Sequence, residues 1–197
     1  MLKEAGILFA ITLIAGLVLG FVYELTKDPI RLQQEKAIQG ACRTVFTQAA
    51  TFEETGKLPS AALTAELDET GVEIGTIYDA LGTSGEHLGY VVETTTSQGY
   101  AGNITLYLGV TDQGTINGIS ILTISETPGL GMRAEEVLVP QFENVPATIF
   151  TYTKNGSTAD HEIDAISGAT VTTNALVNGV NTGLEFFKNQ LGGGTNE

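Results

Sequence analysis

The sequence holds a single cysteine, Cys42, and two histidines, His87 and His161, in 197 residues. One cysteine excludes an intramolecular disulfide and any thiolate metal cluster. Two histidines in separate polar loops leave no histidine-rich metal site. Such a composition predicts a colourless protein unless a cofactor is held by some other residue type. Cys42 itself reads as a small buried helix residue. Basic residues are scarce as well: 9 stand against 23 acidic ones, for a formal net charge of −14. Nucleic acid is thereby excluded as a partner, because neutralising its phosphates takes clustered Lys and Arg. A basic patch adhering to anionic lipid headgroups is excluded on the same ground.

What is present begins with an uncharged run. From Ala5 to Tyr23 there is no charged side chain, and Thr12 is the one clearly polar interruption. At about 1.5 Å per residue this run spans a bilayer core of roughly 30 Å. A cleaved signal peptide fits poorly. The residues before the run carry Lys3 and Glu4 rather than a net positive charge, the apolar core is too long, and no A-x-A-like site follows it. No cysteine follows closely enough to accept a lipid. The run is a retained anchor, embedding the chain through residues 5–23. Its flanking charges do not favour an outside C-terminus: Lys3 precedes it, and Lys27, Arg31 and Lys36 follow. Gly16 and Gly20 form a G-x-x-x-G pair on one helix face, where another membrane helix can approach closely.

After Pro29, IRLQQEKAIQGACRTVFTQAATFEE places Ile38, Ala41, Cys42, Val45 and Ala49 at helical spacing. That spacing predicts a linking helix over 28–60, closed by Gly56 and Pro59. From about Val72 the period becomes that of strands. LGYVVETTT, ITLYLGV, INGISILTIS and ATIFTYT are rich in β-branched and aromatic residues, with Gly and polar turns between them. In ITLYLGV, Ile104, Leu106, Leu108 and Val110 alternate with Thr105, Tyr107 and Gly109, the pattern of a half-buried strand. TDQGT (Thr111 to Thr115) predicts a hairpin loop. A closing helix follows, with Leu176, Val177, Val180, Leu184 and Phe187 on one stripe, and 191–197 reads as a flexible tail. No repeat or second soluble domain is found. The expected fold is α+β, a single domain with helices packed on an antiparallel sheet, behind an N-terminal membrane anchor over 1–27.

The densest chemistry lies just before that last helix. DAISGATVTT (Asp164 to Thr173) crowds Ser167, Gly168, Ala169, Thr170, Val171 and Thr172 together with no catalytic base beside them. Taken alone, this is turn and N-cap material, and the same geometry can seat a phosphate. Two more segments precede it: Glu126, Thr127, Pro128, Gly129, Leu130 and Gly131 in ETPGLG, and Gly99, Tyr100, Ala101 and Gly102 before a strand. Singly these are a solvated loop charge, ordinary turn residues and a core tyrosine. His161, Asp164 and Ser167 are the residue types of a hydrolase triad. Nothing resembles a nucleophile elbow around Ser167, however, and triads are generally assembled from separated segments.

Together and in this order, the three segments resemble the FMN-binding domains that are flavinylated through a phosphoester. The acceptor pattern of that family, Asp-x-x-Ser/Thr-Gly-Ala-Thr/Ser, is met by Asp164, Ser167, Gly168, Ala169 and Thr170. With its anchor and modest length, the chain resembles in particular the G subunits of Rnf ion-translocating electron-transport complexes. The homologous C subunits of Na+-translocating NADH:quinone reductases are generally longer. The resemblance implies an FMN-binding domain over 61–190 with a motif core at 99–173, and one FMN joined through its phosphate to Thr170. It puts ETPGLG at the flavin ring, with Tyr100 in the same site. It implies a flavin transferase that uses FAD and Mg2+ outside the cytoplasm. The chain would then be a single-pass protein of the cytoplasmic membrane, with its soluble domain on the extracytoplasmic side. The implied partners are the other membrane and iron–sulfur subunits of an ion-translocating ferredoxin:NAD+ oxidoreductase, in which this chain carries electrons and has no substrate of its own. A quinone-reductase C subunit and a stand-alone extracytoplasmic flavin carrier remain alternative uses of the same domain. A cofactor-free anchored interaction domain is the alternative of a different class. An ester made by another enzyme needs no activated nucleophile here, so the missing base is no obstacle.

Overall fold

The computed structural model describes residues 2–57, 59, 60, 64, 67 and 70–192, so the tail expected over 191–197 lies, from 193 on, outside the described residues. Two compact units divide the chain between Ile38 and Gln39. The first is the greater part of helix α1 (Leu2–Val45), along which Ile7, Leu8, Phe9, Leu17, Leu19 and Phe21 all stand more than half exposed. Such a surface is stable where something other than water covers it, and the helix is long and apolar enough to cross a membrane. Thr12 satisfies its hydroxyl inside the helix by donating to Leu8 O at 3.1 Å. Formal charges in this unit cancel, Lys3, Lys27, Arg31 and Lys36 against Glu4, Glu24, Asp28 and Glu35. The whole net charge of −14 therefore falls on the second unit.

Residues 28–60, expected as one linking helix, divide differently. Helix α1 continues through Pro29 and ends at Val45, and Thr51–Glu54 form a strand, β1. TFEE carries no strand pattern of its own. It is extended because it pairs antiparallel with the next strand, from Thr51 opposite Leu81 to Glu54 opposite Tyr78. A long-range partner outweighs local propensity there.

The second unit is built on a six-stranded antiparallel meander in chain order: β1, β2 (Val72–Leu81), β3 (His87–Thr96), β4 (Ile104–Thr111), β5 (Thr115–Thr123) and β6 (Val145–Pro146). The hairpin expected at Thr111 to Thr115 joins β4 to β5, where Gly114 N donates to Thr111 O at 2.9 Å. One helical turn, α2 (Ala134–Val137), lies between β5 and β6. Beyond them β7 (Thr151–Thr153) and β8 (Glu162–Asp164) pair with each other in parallel, as a separate ribbon. ATIFTYT is thus strand only at its end, and it does not join the antiparallel sheet. Helix α3 (Thr170–Gln190) closes the described fold.

Both faces of the sheet are covered. Helix α3 lies on one, with Leu176, Val177, Val180, Leu184 and Phe187 all buried, as their spacing predicted. Phe187 meets Tyr90 edge-on at 6.2 Å. The other face receives the last turn of α1, where Ala41, Cys42, Val45 and Phe46 are buried. This corrects the reading of β4 as half-buried: Tyr107 is as inaccessible as Leu106 and Leu108, because Val45 is seated directly over Gly109. Burial also pushes the Cys42 thiol up to about 12, which keeps it protonated and inert.

At the start of β3, His87 places Nδ1 2.9 Å from Asp112 Oδ2 and Nε2 3.1 Å from Asp79 Oδ1. Both ring nitrogens can donate only in the imidazolium form. Partial burial pulls its pKa down, but the two carboxylates outweigh this and hold it above the ordinary value of 6.5. A folded-state pKa raised in this way gives stability that is complete below the unfolded value and is lost as pH rises through the folded one. The unfolding midpoint should therefore fall as pH climbs above about 6.5, the ordinary histidine value. His87→Gln should flatten that slope. An equal slope in both proteins would assign the loss to another group.

Candidate functional site

Between β8 and α3 the chain turns tightly. Ala169 N donates to Ile166 O at 3.0 Å, and Gly168 takes φ of 79°, a conformation that side chains disfavour. Thr173 holds this turn from inside the helix: its hydroxyl accepts from Ile166 N at 3.1 Å and donates to Ala169 O at 3.0 Å. The helix then starts at Thr170 with Ala169 as its N-cap, and no side chain caps it. The first N–H groups of a helix have no partner within it and carry the positive end of its dipole.

Glu126 joins the remaining segments. It is only 5% exposed, and both carboxylate oxygens are engaged: Oε1 accepts from Ala101 N at 3.2 Å, and Oε2 accepts from the Thr172 hydroxyl at 2.9 Å. Gly131 makes this approach possible, since a Cβ there would stand 2.5 Å from Thr172 Oγ1 and 2.8 Å from Glu126 Oε2. On the far side, Gln98 Oε1 accepts from Asn178 Nδ2 at 2.7 Å and from Asn174 Nδ2 at 3.5 Å, tying the foot of the 99–102 turn to α3. Gln98, Asn174 and Asn178 escaped the sequence reading. The i, i+4 spacing of the two asparagines on one helix was the signal that could have found them.

These segments surround a cleft of about 480 Å³, lined by Tyr100, Glu126, Thr127, Leu130, Gly131 and the run Gly168 to Thr172. Three stretches far apart in sequence thus meet at one place. Pro128, Gly129 and Ser167 stand outside the wall and are exposed. Asp164 is outside it too: its Oδ1 accepts from Ser157 N at 2.6 Å, and its backbone is bonded on both sides to the Gln141 amide. No hydrogen bond links His161, Asp164 and Ser167 among the described residues.

The hydroxyls of the 164–173 segment differ in what they are free to do. Thr172 and Thr173 are buried and spent on Glu126 and on the turn. Thr170 lines the cleft, is partly exposed, and makes no side-chain hydrogen bond among the described residues.

An FMN group makes two demands on such a site, a seat for its phosphate and a face for a flat, mostly apolar ring. The uncapped start of α3 meets the first. Tyr100, Leu130 and Val171, exposed by 73%, 41% and 49%, meet the second with apolar surface around the opening. The cleft is also of ordinary ligand size, within about 300–1,000 Å³. Among the described residues no Lys or Arg lines it, and nearby Arg133 is engaged by Glu136 at 3.2 Å. The residues fit the group, and they supply no cation for its phosphate.

Two family models match the chain: one described as an FMN-binding domain over residues 99–185, and one described as the RnfG N-terminal region over residues 1–45. The G subunit of the Na+-translocating ferredoxin:NAD+ oxidoreductase complex of Acetobacterium woodii is 33% identical over 191 residues, covering 95% of this chain and 91% of its own. The G subunit of an ion-translocating oxidoreductase complex of Methanosarcina acetivorans is 32% identical over 185 residues, covering 92% of each. Among solved structures, Shewanella oneidensis NqrC matches with a TM-score of 0.50 at 19% identity, over 76% of this chain and 74% of its own, a likeness of fold.

Proposed function

The chain belongs to the family of G subunits of ion-translocating oxidoreductase complexes, and from that premise we propose that it carries its flavin as an ester on Thr170 and relays electrons without a substrate of its own. It is an FMN-binding, membrane-anchored subunit of a ferredoxin:NAD+ oxidoreductase complex of the Rnf kind, and its partners are the other subunits. Bound FMN supplies reversible electron uptake, the chemistry that no side chain here can perform.

The observation that carries the ester is the pairing of a free hydroxyl with a missing cation. Among the described residues, Thr170 is an unspent hydroxyl on the cleft wall at the start of α3, and the wall has a carboxylate but no basic residue. In a unit that holds the chain's entire net charge of −14, helix N–H groups alone would hold a free phosphate weakly. A covalent bond removes that requirement and fixes a high local concentration. In the attachment step the Thr170 oxygen bonds to the FMN-side phosphorus of FAD and the pyrophosphate P–O bond breaks. AMP leaves, and the hydroxyl proton passes to the transferase. We place this transferase, and with it the soluble unit, on the extracytoplasmic side, and count iron–sulfur subunits among the partners.

The relay reading follows from the cleft's lack of acid–base chemistry. Both oxygens of Glu126 already accept from protein donors, and no G-x-G-x-x-G fingerprint occurs in the chain. Produced with a flavin transferase and purified alone, the chain should hold one flavin that survives denaturation and is reduced by dithionite, yet oxidise no appreciable NADH. Rapid NADH turnover would make it an enzyme in its own right.

A further inference from the structure

Glu126 has the sequence of a surface charge and the surroundings of a core residue. Its carboxylate accepts from a backbone N–H 25 positions away and from a hydroxyl 46 positions away. Two glycines close in on it. A Cβ at Gly99 would stand 2.8 Å from Oε1, and one at Gly131 2.8 Å from Oε2. Burying a carboxylate is costly unless donors meet it, and here each oxygen has one. The donors are not incidental. Ala101 belongs to the turn that presents Tyr100, and Thr172 lies in the first helical turn, two residues beyond Thr170.

We infer that Glu126 is a positioning residue, a buried clip that fixes the first turn of α3 and the 99–102 turn against the 126–131 loop, and thereby sets where Thr170 and the group attached to it stand. This rests on the reading of Thr170 as the flavin acceptor. Each carboxylate oxygen already accepts from a protein donor, so the inferred role runs through Thr172 and Ala101, although the side chain also lines the cleft. The clip also explains how a wall made of three loops can be rigid. Without it, among the described residues, the Tyr100 turn keeps only the Gln98 bonds to α3, and the 126–131 loop loses its side-chain bond to the helix. Misplacing a reacting hydroxyl by about 1 Å can cost on the order of a hundredfold in rate.

The test uses the full chain in detergent, a flavin transferase, FAD and Mg2+, with three variants. Glu126→Ala removes both acceptors, and Thr172→Val removes one arm while keeping the side-chain shape. Glu126→Gln keeps the clip, since its amide oxygen can accept from Ala101 N and its amide nitrogen can donate to the Thr172 hydroxyl. The expected result is a kcat for labelling that falls by roughly ten- to a hundredfold in Glu126→Ala with KM for the chain little changed. Thr172→Val should fall less, and Glu126→Gln should stay within about threefold of the unmodified chain, as an intact clip requires. Flavin already attached should show lower fluorescence anisotropy in Glu126→Ala than in Glu126→Gln, reporting a looser ring. Labelling and anisotropy unchanged in Glu126→Ala would overturn the inference, as would a Gln variant as slow as the Ala variant. If Glu126→Ala does not fold, Thr172→Val decides, and a wild-type rate and anisotropy there would overturn the clip. Thr170→Val runs alongside: labelling of that variant would refute the acceptor, whereas its failure to label beside an unaffected Glu126→Ala would refute the clip alone.

Discussion

Thr170→Val is expected to remove the covalent flavin entirely, with the fluorescent band on a denaturing gel falling to background while the chain folds as before. Valine keeps the branched shape and deletes the oxygen. The Thr170 hydroxyl makes no side-chain hydrogen bond among the described residues, so the change should cost less than about 1 kcal/mol in stability. The neighbouring hydroxyls cannot easily replace it. Thr172 and Thr173 are buried and bonded, at 2.9 Å to Glu126 and at 3.1 and 3.0 Å within the turn. Ser167 is exposed but lies outside the cleft wall. A band that survives Thr170→Val, or an adduct mapped to Ser167, would sink the assignment. The labelled band also reports sidedness. Protease added to intact spheroplasts should remove it if the transferase and the soluble unit share the outer side, and protection would reverse the orientation.

How much of this was legible in the sequence depends on whether the deciding contact was local. The α3 stripe and the hairpin at Thr111 to Thr115 were, because both are set by residues a few positions apart. The resemblance gathered the three site segments at one flavin, but the contacts that hold them against one another could not be read from it. Glu126 shows why: nothing in ETPGLG marks a buried carboxylate, and its partners are Ala101 and Thr172. The same holds for β1, which is extended only by virtue of β2, and for β4, whose second face is covered by Val45 from α1. Asp164 and Ser167 illustrate the converse. They match the acceptor pattern, yet the structure sets Asp164 against Ser157 and Gln141 and leaves Ser167 exposed. Any part they play in flavin attachment would be in recognition by the transferase.

Gly89→Ala should be among the most destabilising single-methyl additions in the chain, though nothing about LGYVVETTT announces it. Strand β3 carries an irregularity just before this point, where its register against β2 shifts between Ala80 and Leu81. Gly89 follows it with φ of 151°, inside the region that side chains rarely enter. An added Cβ would drive into the carbonyl oxygen of Val110 and stand 2.7 Å from the Thr111 Cα and 2.8 Å from Phe46 Cζ. Two of those three atoms are backbone of the paired strand, so no rotamer change relieves them. Backbone strain of about 1–3 kcal/mol and overpacking of about 1–3 kcal/mol act together here. For a unit of this size each kcal/mol lowers Tm by roughly 2–4 °C, so a drop of about 10 °C is expected in calorimetry of the detergent-solubilised chain. Calorimetry suits it because the chain has no tryptophan. The cleft lies toward the other end of β3, beyond Thr96 and next to Tyr100. Well below its midpoint, the variant should therefore accept flavin at Thr170 at the normal rate. A Tm within about 2 °C of the unmodified chain would mean that β3 and β4 do not approach as closely as the structure has them. Slowed labelling of the folded variant would mean that the sheet transmits the distortion to the site.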